Sequence, residues 1–82
     1  MKRMKVVERK LGREKAYGQA ISEGAVIEIS PKQTERERID TLIHEAFHLI
    51  PQTKTLDETA VVKASNSLSN LMWQQGYRRM MQ

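Results

Sequence analysis

Two histidines and a glutamate stand together near the middle of the chain, in the sequence H-E-A-F-H. They are His44, Glu45 and His48, and these are the only two histidines among the 82 residues. On an α-helix, residues i and i+4 lie one turn apart on the same face, so both imidazoles can bind one tetrahedral metal ion. The glutamate beside the first histidine can reach a water on that metal and act as its general base. The spacing therefore predicts a zinc site with hydrolytic chemistry.

The residues around the motif predict the helix that this spacing requires. Apolar side chains recur at i, i+3, i+4, i+7, i+8 and i+11 from Ile39 to Ile50, which is the period of an amphipathic helix. Thr34 and Glu37 have the spacing of a capping box before this run, and a proline follows it. We therefore expect a helix over about residues 35–50. The histidines lie off its apolar face, so a second element must enclose them.

A second helix is predicted over about residues 56–75. Gly76 follows it, in the position that glycine prefers after a helix. The residues expected to form its apolar stripe are Ala60, Val61, Ala64, Leu68, Leu71 and Met72.

The third metal ligand is the least determined part of the predicted site. Catalytic zinc takes three protein ligands, and the chain has no further histidine and no cysteine. Glu58 lies at the edge of the apolar stripe, and antiparallel packing of the helices would bring it towards His48. Three alternatives stay open: Glu58 is the ligand, its neighbour Asp57 is the ligand, or Glu58 serves only in a capping box with Thr55.

The residues before the first helix predict strands. Residues 6–11, 16–21 and 25–30 are the candidates, and Ser22–Gly24 gives a hairpin turn between the last two. Ile27 and Ile29 share one face of the last strand, as expected for a sheet with one buried face. The fold class is therefore α+β: a β-hairpin or a three-stranded antiparallel sheet, followed by two α-helices. We expect a single domain over residues 1–82, with a frayed tail at 80–82.

Charge and composition bound the partners. The net charge is +4, and residues 1–15 carry seven Lys or Arg against two Glu. This basic segment predicts either a solvated strand edge or a weak nucleic-acid contact. No apolar run is long enough to cross a membrane, and the N-terminus lacks the apolar core of a secretory signal. With the absence of cysteine, these features favour an intracellular, cytoplasmic protein without a membrane partner.

The two helical segments resemble a known group of enzymes. T-L-I-H-E-A-F-H at 41–48 and L-D-E-T-A-V-V-K-A at 56–64 are similar to the two-helix core of zincin metallopeptidases. The likeness is greatest to the gluzincins, whose third ligand is a glutamate on the next helix, and among these to small phage-type metallopeptidases. Further likeness at 29–31 and 71–78 extends it over roughly residues 16–79. SprT-like and ImmA/IrrE-type zincins are more distant.

The resemblance implies a role for each residue of the motif. His44, His48 and Glu58 would bind one Zn²⁺, and Glu45 would be the catalytic base of a metallopeptidase that cleaves a peptide or protein substrate. Residues 25–30, or the hairpin partner of this strand, would be the edge along which an extended peptide binds. The chain lacks the third histidine of metzincins and of SprT-like proteins, and it lacks the second subdomain of larger zincins. The alternative function is a non-catalytic zinc-binding module whose metal stabilises the fold, with a protein or nucleic-acid partner.

Four further residues are not assigned to the site. An oxyanion is usually stabilised by a donor besides the metal, for which Tyr17, Tyr77 and Arg78 are candidates. Each is better explained as a surface aromatic, a core-closing aromatic or a helix-terminal charge. Trp73 is expected to pack on the hairpin or to form a subunit contact.

Overall fold

A computed structural model describes residues 3–12 and 17–79, as three strands followed by two helices. The elements are β1 (Lys5–Glu8), β2 (Gly18–Ile21), β3 (Val26–Ile29), α1 (Glu35–Leu49) and α2 (Glu58–Gln74). The predicted α+β class and the order of elements are confirmed. The predicted tail at 80–82 and part of the basic segment, residues 1–2 and 13–15, lie outside the described residues. Within the described residues, no helix combines the length and apolarity needed to cross a membrane.

The hairpin forms between β2 and β3, with Ala20 opposite Ile27 in an antiparallel register. The turn between them has two consecutive residues in the left-handed region, Gly24 at φ +80° and Ala25 at φ +52°. The Ala25 N–H donates to the Ser22 carbonyl at 3.1 Å and closes this turn. The predicted alternation is confirmed, because Ile27 and Ile29 are buried while Val26 and Glu28 are only half-buried.

The sheet is mixed, so the prediction of a purely antiparallel sheet is wrong. β3 is the central strand, and β1 pairs with it in parallel, with Val6 beside Ile27. Glu8 and Gly18 are both paired with Ile29, so β1 ends and β2 begins at the same end of the sheet. The chain therefore crosses only two strand spacings, roughly 10 Å, between them. The apolar pattern of an isolated strand contains no information about its direction.

Helix α1 begins and ends where its sequence signals predict. The Thr34 side chain accepts from the Glu37 N–H at 3.1 Å, and Glu37 Oε1 accepts from the Thr34 N–H at 2.8 Å, which confirms the capping box. The helix packs on β2 and β3 and also on α2. It is thus the central element, in contact with the sheet and with the second helix.

Helix α2 ends in a Schellman motif. Gly76 has φ +83°, and its N–H donates to the Trp73 carbonyl at 3.0 Å. The Tyr77 N–H donates to the Met72 carbonyl, also at 3.0 Å. The predicted helix stop is therefore confirmed, since a glycine has no Cβ to oppose the left-handed conformation.

The buried face of α2 differs from the predicted apolar stripe. Val61, Ser65 and Ser69 are fully buried, whereas Leu68 is 42% exposed and Leu71 is 54% exposed. Residues four apart lie on one face, and small side chains there let two helices approach closely. The serine hydroxyls are satisfied within the interface; that of Ser65 donates to the Val61 carbonyl at 2.8 Å. The predicted stripe is therefore correct at Val61 and wrong at Leu68 and Leu71, which are exposed.

We predict that Gly18→Ala destabilises the fold. A Cβ at this position would lie 2.7 Å from Thr41 Cγ2 on α1 and 3.0 Å from the Glu28 carbonyl. Relieving such overlap should lower the free energy of unfolding by about 1–3 kcal/mol. The measurement is the midpoint of urea unfolding, which should be lower than that of wild type. Gly12→Ala is the control, because a Cβ there has no atom within 4 Å. Equal midpoints for the two variants would contradict the close approach of β2 to α1.

Candidate metal centre

Helix α1 presents both histidines on one face. The ring centroids of His44 and His48 are 5.2 Å apart, with the rings inclined at 62°. Their side chains are 22% and 32% exposed, so each ring is mostly packed while its edge remains accessible. This is the geometry that the four-residue spacing predicts for two ligands of one metal ion.

Glu58 of α2 faces both rings. Its Oε1 lies 2.7 Å from His44 Nε2, and its Oε2 lies 3.4 Å from His48 Nε2. One ligand atom from each of the three residues lies within 4.8 Å of the others. Two imidazole nitrogens and a carboxylate oxygen form a donor set that transition metals bind. The three residues, which we call the metal cluster, can therefore bind a metal ion.

A tight turn returns the chain to place this carboxylate. Ile50 caps the C-terminus of α1, and the Thr53 hydroxyl donates to the Phe47 carbonyl at 2.8 Å. The Lys54 N–H donates to the Ile50 carbonyl, also at 2.8 Å. These bonds satisfy carbonyls at the end of α1 that would otherwise lack partners. They also reverse the chain, so that the first turn of α2 lies beside the last turns of α1.

The start of α2 distinguishes the three alternatives for the third ligand. Asp57 is the N-cap, and its side chain accepts from the Ala60 N–H at 2.8 Å. Glu58 is the first helical residue, so it does not pair with Thr55 in a capping box. The Asp57 carboxylate stabilises the helix, and the Glu58 carboxylate is the one that reaches the histidines.

A polar contact farther along fixes how the two helices align. Arg36 donates to Ser69 Oγ at 3.0 Å and also bonds the Asn70 side chain. The Ser69 hydroxyl lies 3.0 Å from Asp40 Oδ1, to which it donates. Sliding α2 by one turn would break these bonds and move Glu58 away from the histidines. We did not predict these residues, although the pairs Arg36/Asp40 and Ser65/Ser69 have the i, i+4 spacing of two facing helices.

Glu45 lies on the side of α1 that meets the sheet. It is half-buried, and a Cβ at Gly18 would lie 3.5 Å from its Cγ. Strand β2 is therefore the strand next to this glutamate. Among the described strands β2 pairs only with β3, so its other edge carries no strand there. The gluzincin likeness implied a peptide-binding edge at residues 25–30 or at their hairpin partner. Residues 25–30 contain the central strand β3, so the first alternative is wrong, and β2 is the strand beside the motif glutamate.

The Gln33 side chain, which we did not predict to have a role, connects these elements. Its amide nitrogen donates to the carbonyls of Tyr17 and Ser30, at 3.1 and 2.8 Å. Its oxygen accepts from the Thr41 hydroxyl at 2.9 Å. One carboxamide thus joins the start of β2 and the end of β3 to α1, one turn before Glu45. No sequence motif marks such a residue, because its partners are mainly backbone groups.

Two of the oxyanion candidates lie far from the metal cluster. Tyr77 and Arg78 follow the C-terminus of α2, whereas Glu58 is its first residue. A 17-residue helix is about 25 Å long, so neither side chain reaches the cluster. The Arg78 guanidinium lies over the Trp73 ring, 3.2 Å from its centroid, which gives the tryptophan an intramolecular partner. Tyr17, the third candidate, lies directly before β2, the strand next to Glu45.

Several basic residues are paired with carboxylates of the same chain. Arg9 binds Glu28 through two nitrogens, at 2.5 and 2.9 Å, which raises the pKa of this guanidinium. Arg79 and Arg38 both bond Glu8, and the hydrogen bond from Arg79 holds the pKa of that carboxyl below its usual value. A nucleic-acid contact through the basic segment stays a prediction.

No protein-family model, curated protein sequence or solved structure matches the chain. The resemblance to gluzincins therefore stays a prediction.

We predict that metal binding requires Glu58 and does not require Asp57. Glu58→Ala removes one of three ligands and should weaken zinc affinity by at least about tenfold, measured by competition with a chromogenic chelator. Asp57→Ser is the matched control, because serine also caps helices. It removes the neighbouring carboxylate and should leave zinc affinity unchanged. A larger loss in Asp57→Ser than in Glu58→Ala would reverse the assignment.

Proposed function

We propose that this chain is a zinc-dependent peptide hydrolase. One observation carries the proposal: the helix that presents two histidines to Glu58 also places Glu45 beside the edge strand β2. Glu45 thus lies between the metal cluster and a strand edge. This arrangement suits the hydrolysis of an extended peptide.

The metal cluster fits zinc. Zinc bonds to nitrogen and oxygen are about 2.0–2.2 Å long in tetrahedral sites, which separates two ligand atoms by roughly 3.4 Å. The 3.4 Å between His48 Nε2 and Glu58 Oε2 already has this value. The 2.7 Å between His44 Nε2 and Glu58 Oε1 is shorter, and the Glu58 side chain, 63% exposed, has room to withdraw. Three protein ligands leave a tetrahedral position for catalysis.

The catalytic roles follow from the chemistry of peptide hydrolysis. When bound, zinc supplies Lewis-acid chemistry: it polarises a carbonyl group and lowers the pKa of water. Glu45 accepts the proton of the attacking water and then gives it to the leaving amine. His44, His48 and Glu58 would hold the ion, and α1 keeps the two histidines in a fixed position relative to Glu45. Positioning by a rigid element contributes directly to the rate of such a reaction.

The substrate class follows from the strand edge. An extended peptide can add to an edge strand through main-chain hydrogen bonds. Gly18 has no side chain, so the backbone of β2 packs closely against Thr41 and Glu45. A peptide alongside β2 would therefore run close to the general base. The absence of cysteine is compatible with a reducing compartment, and we propose the cytoplasm as the location.

Glu45→Gln should retain zinc and lose peptide hydrolysis. Glutamine keeps the shape of the side chain but cannot accept the proton, and loss of a general base lowers the rate by about 10²–10⁴-fold. The measurement is cleavage of a fluorogenic peptide library by zinc-loaded protein, with zinc content determined on the same sample. Glu23→Gln, an exposed turn residue, is the control for loss of one charge. Wild-type cleavage by Glu45→Gln would refute the mechanism.

A non-catalytic zinc-binding module is the second candidate, and the small core favours it. The buried apolar residues of the described chain are few, and two of the three buried residues of α2 are serines. A bound metal stabilises such a domain by mass action. This candidate expects zinc to raise the melting temperature of wild type and of Glu45→Gln alike, with no peptide cleaved by either. Cleavage by wild type would exclude a purely structural role.

A further inference from the structure

A cavity lies beside the candidate active site, between the start of β2 and the two helices. Its volume is about 290 Å³. It is lined by Tyr17, Arg36, Glu37, Asp40, Thr41 and Asn66. Asp40 and Thr41 precede His44 and Glu45 by four residues each, so the near side of the cavity lies one helical turn, about 6 Å, along α1 from His44, the nearest residue of the metal cluster.

The charged side chains that line the cavity differ in how many of their hydrogen-bonding atoms already have partners. The Arg36 guanidinium is held by Ser69 and Asn70 of α2. Asp40 accepts the Ser69 hydroxyl on Oδ1, and no described residue donates a hydrogen bond to its Oδ2. Glu37 uses Oε1 in the capping box at the start of α1. Each carboxylate thus retains one oxygen that can accept a hydrogen bond from a ligand. Arg36 donates these two hydrogen bonds to neutral groups and keeps its charge, so the lining carries two negative charges and one positive charge, a net of −1.

The size and the remaining walls of the cavity favour a single long side chain. Pockets for small molecules measure roughly 300–1,000 Å³, and this one is at the lower limit. Tyr17 is 54% exposed, so its ring is available to cover an aliphatic stem or to lie beside a cation. An extended peptide advances about 3.3 Å per residue. A side chain about two residues from the scissile bond would therefore reach the near side of the cavity, at Asp40.

We propose that this cavity is a subsite for a basic side chain of the peptide, with Asp40 as the specificity-determining residue. The proposal rests on the proposed peptide hydrolase function. Lysine or arginine would extend along Tyr17, and its cationic end would donate to Asp40 Oδ2, with Glu37 at the rim. Hydrogen bonds between a cation and a carboxylate are the stronger class of such bonds. The subsite therefore distinguishes a basic side chain from an apolar one of the same length.

Binding and cleavage are measured separately to test this. The probes are blocked hexapeptides that differ only in lysine or norleucine, with the substituted position moved along the peptide. Binding is measured by fluorescence anisotropy on zinc-loaded Glu45→Gln, and cleavage on the protein with Glu45 intact. We expect one position at which lysine binds about tenfold more tightly than norleucine.

Asp40→Asn should reduce this preference to within about twofold, because asparagine retains the acceptor for Ser69 but loses the charge. It should bind zinc as wild type does. Glu37→Gln, which preserves the capping box, should reduce the preference less. Glu23→Gln is the control for charge and should leave it unchanged.

The outcomes separate this inference from the proposed function. Lysine preference that depends on Asp40, without cleavage by the protein that retains Glu45, would support the subsite and refute the hydrolase. Cleavage with equal use of lysine and norleucine would refute the subsite alone. Equal losses in Asp40→Asn and Glu23→Gln, or no measurable binding of either peptide, would also overturn it.

Discussion

The alignment of α2 against α1 is the constraint on which the metal cluster depends. Two residues of the cluster come from α1 and the third from α2, so their meeting is determined by how the helices are aligned along their length. Two features fix that alignment. The turn around Thr53 limits where α2 can begin, and Arg36, Asp40 and Ser69 form a hydrogen-bonded group at the other end of the interface. The small residues on the buried face of α2 permit the close approach that both features need.

The parts of the fold with local causes could be predicted from the sequence. The capping box at Thr34, the glycine after α2 and the alternation around Ile27 each depend on residues within a few positions of one another. The histidine pair is also local, since its geometry is a property of any helix. These signals gave the α+β class, both helices and two of the three ligands.

The remaining features depend on contacts between distant segments, which one sequence does not display. The parallel pairing of β1 depends on which edge of β3 is open. The choice of Ser65 and Ser69 over Leu68 and Leu71 for the buried face depends on the distance between the helices. Glu58 could be proposed as a ligand only with alternatives, because the sequence does not show that Asp57 serves as the N-cap. Gln33 was missed because it bonds mainly to backbone carbonyls.

Glu8 connects the beginning and the end of the described chain. It bonds Arg79, 71 positions later in the sequence, as well as Arg38 of α1. A contact between such distant residues closes a long loop, and the entropy of closure makes it unfavourable until most of the chain is ordered. We therefore expect the pair to form late in folding. Interactions that form after the transition state affect the unfolding rate rather than the folding rate. We therefore expect Glu8, which joins β1 to the segment after α2, to slow unfolding more than it speeds folding.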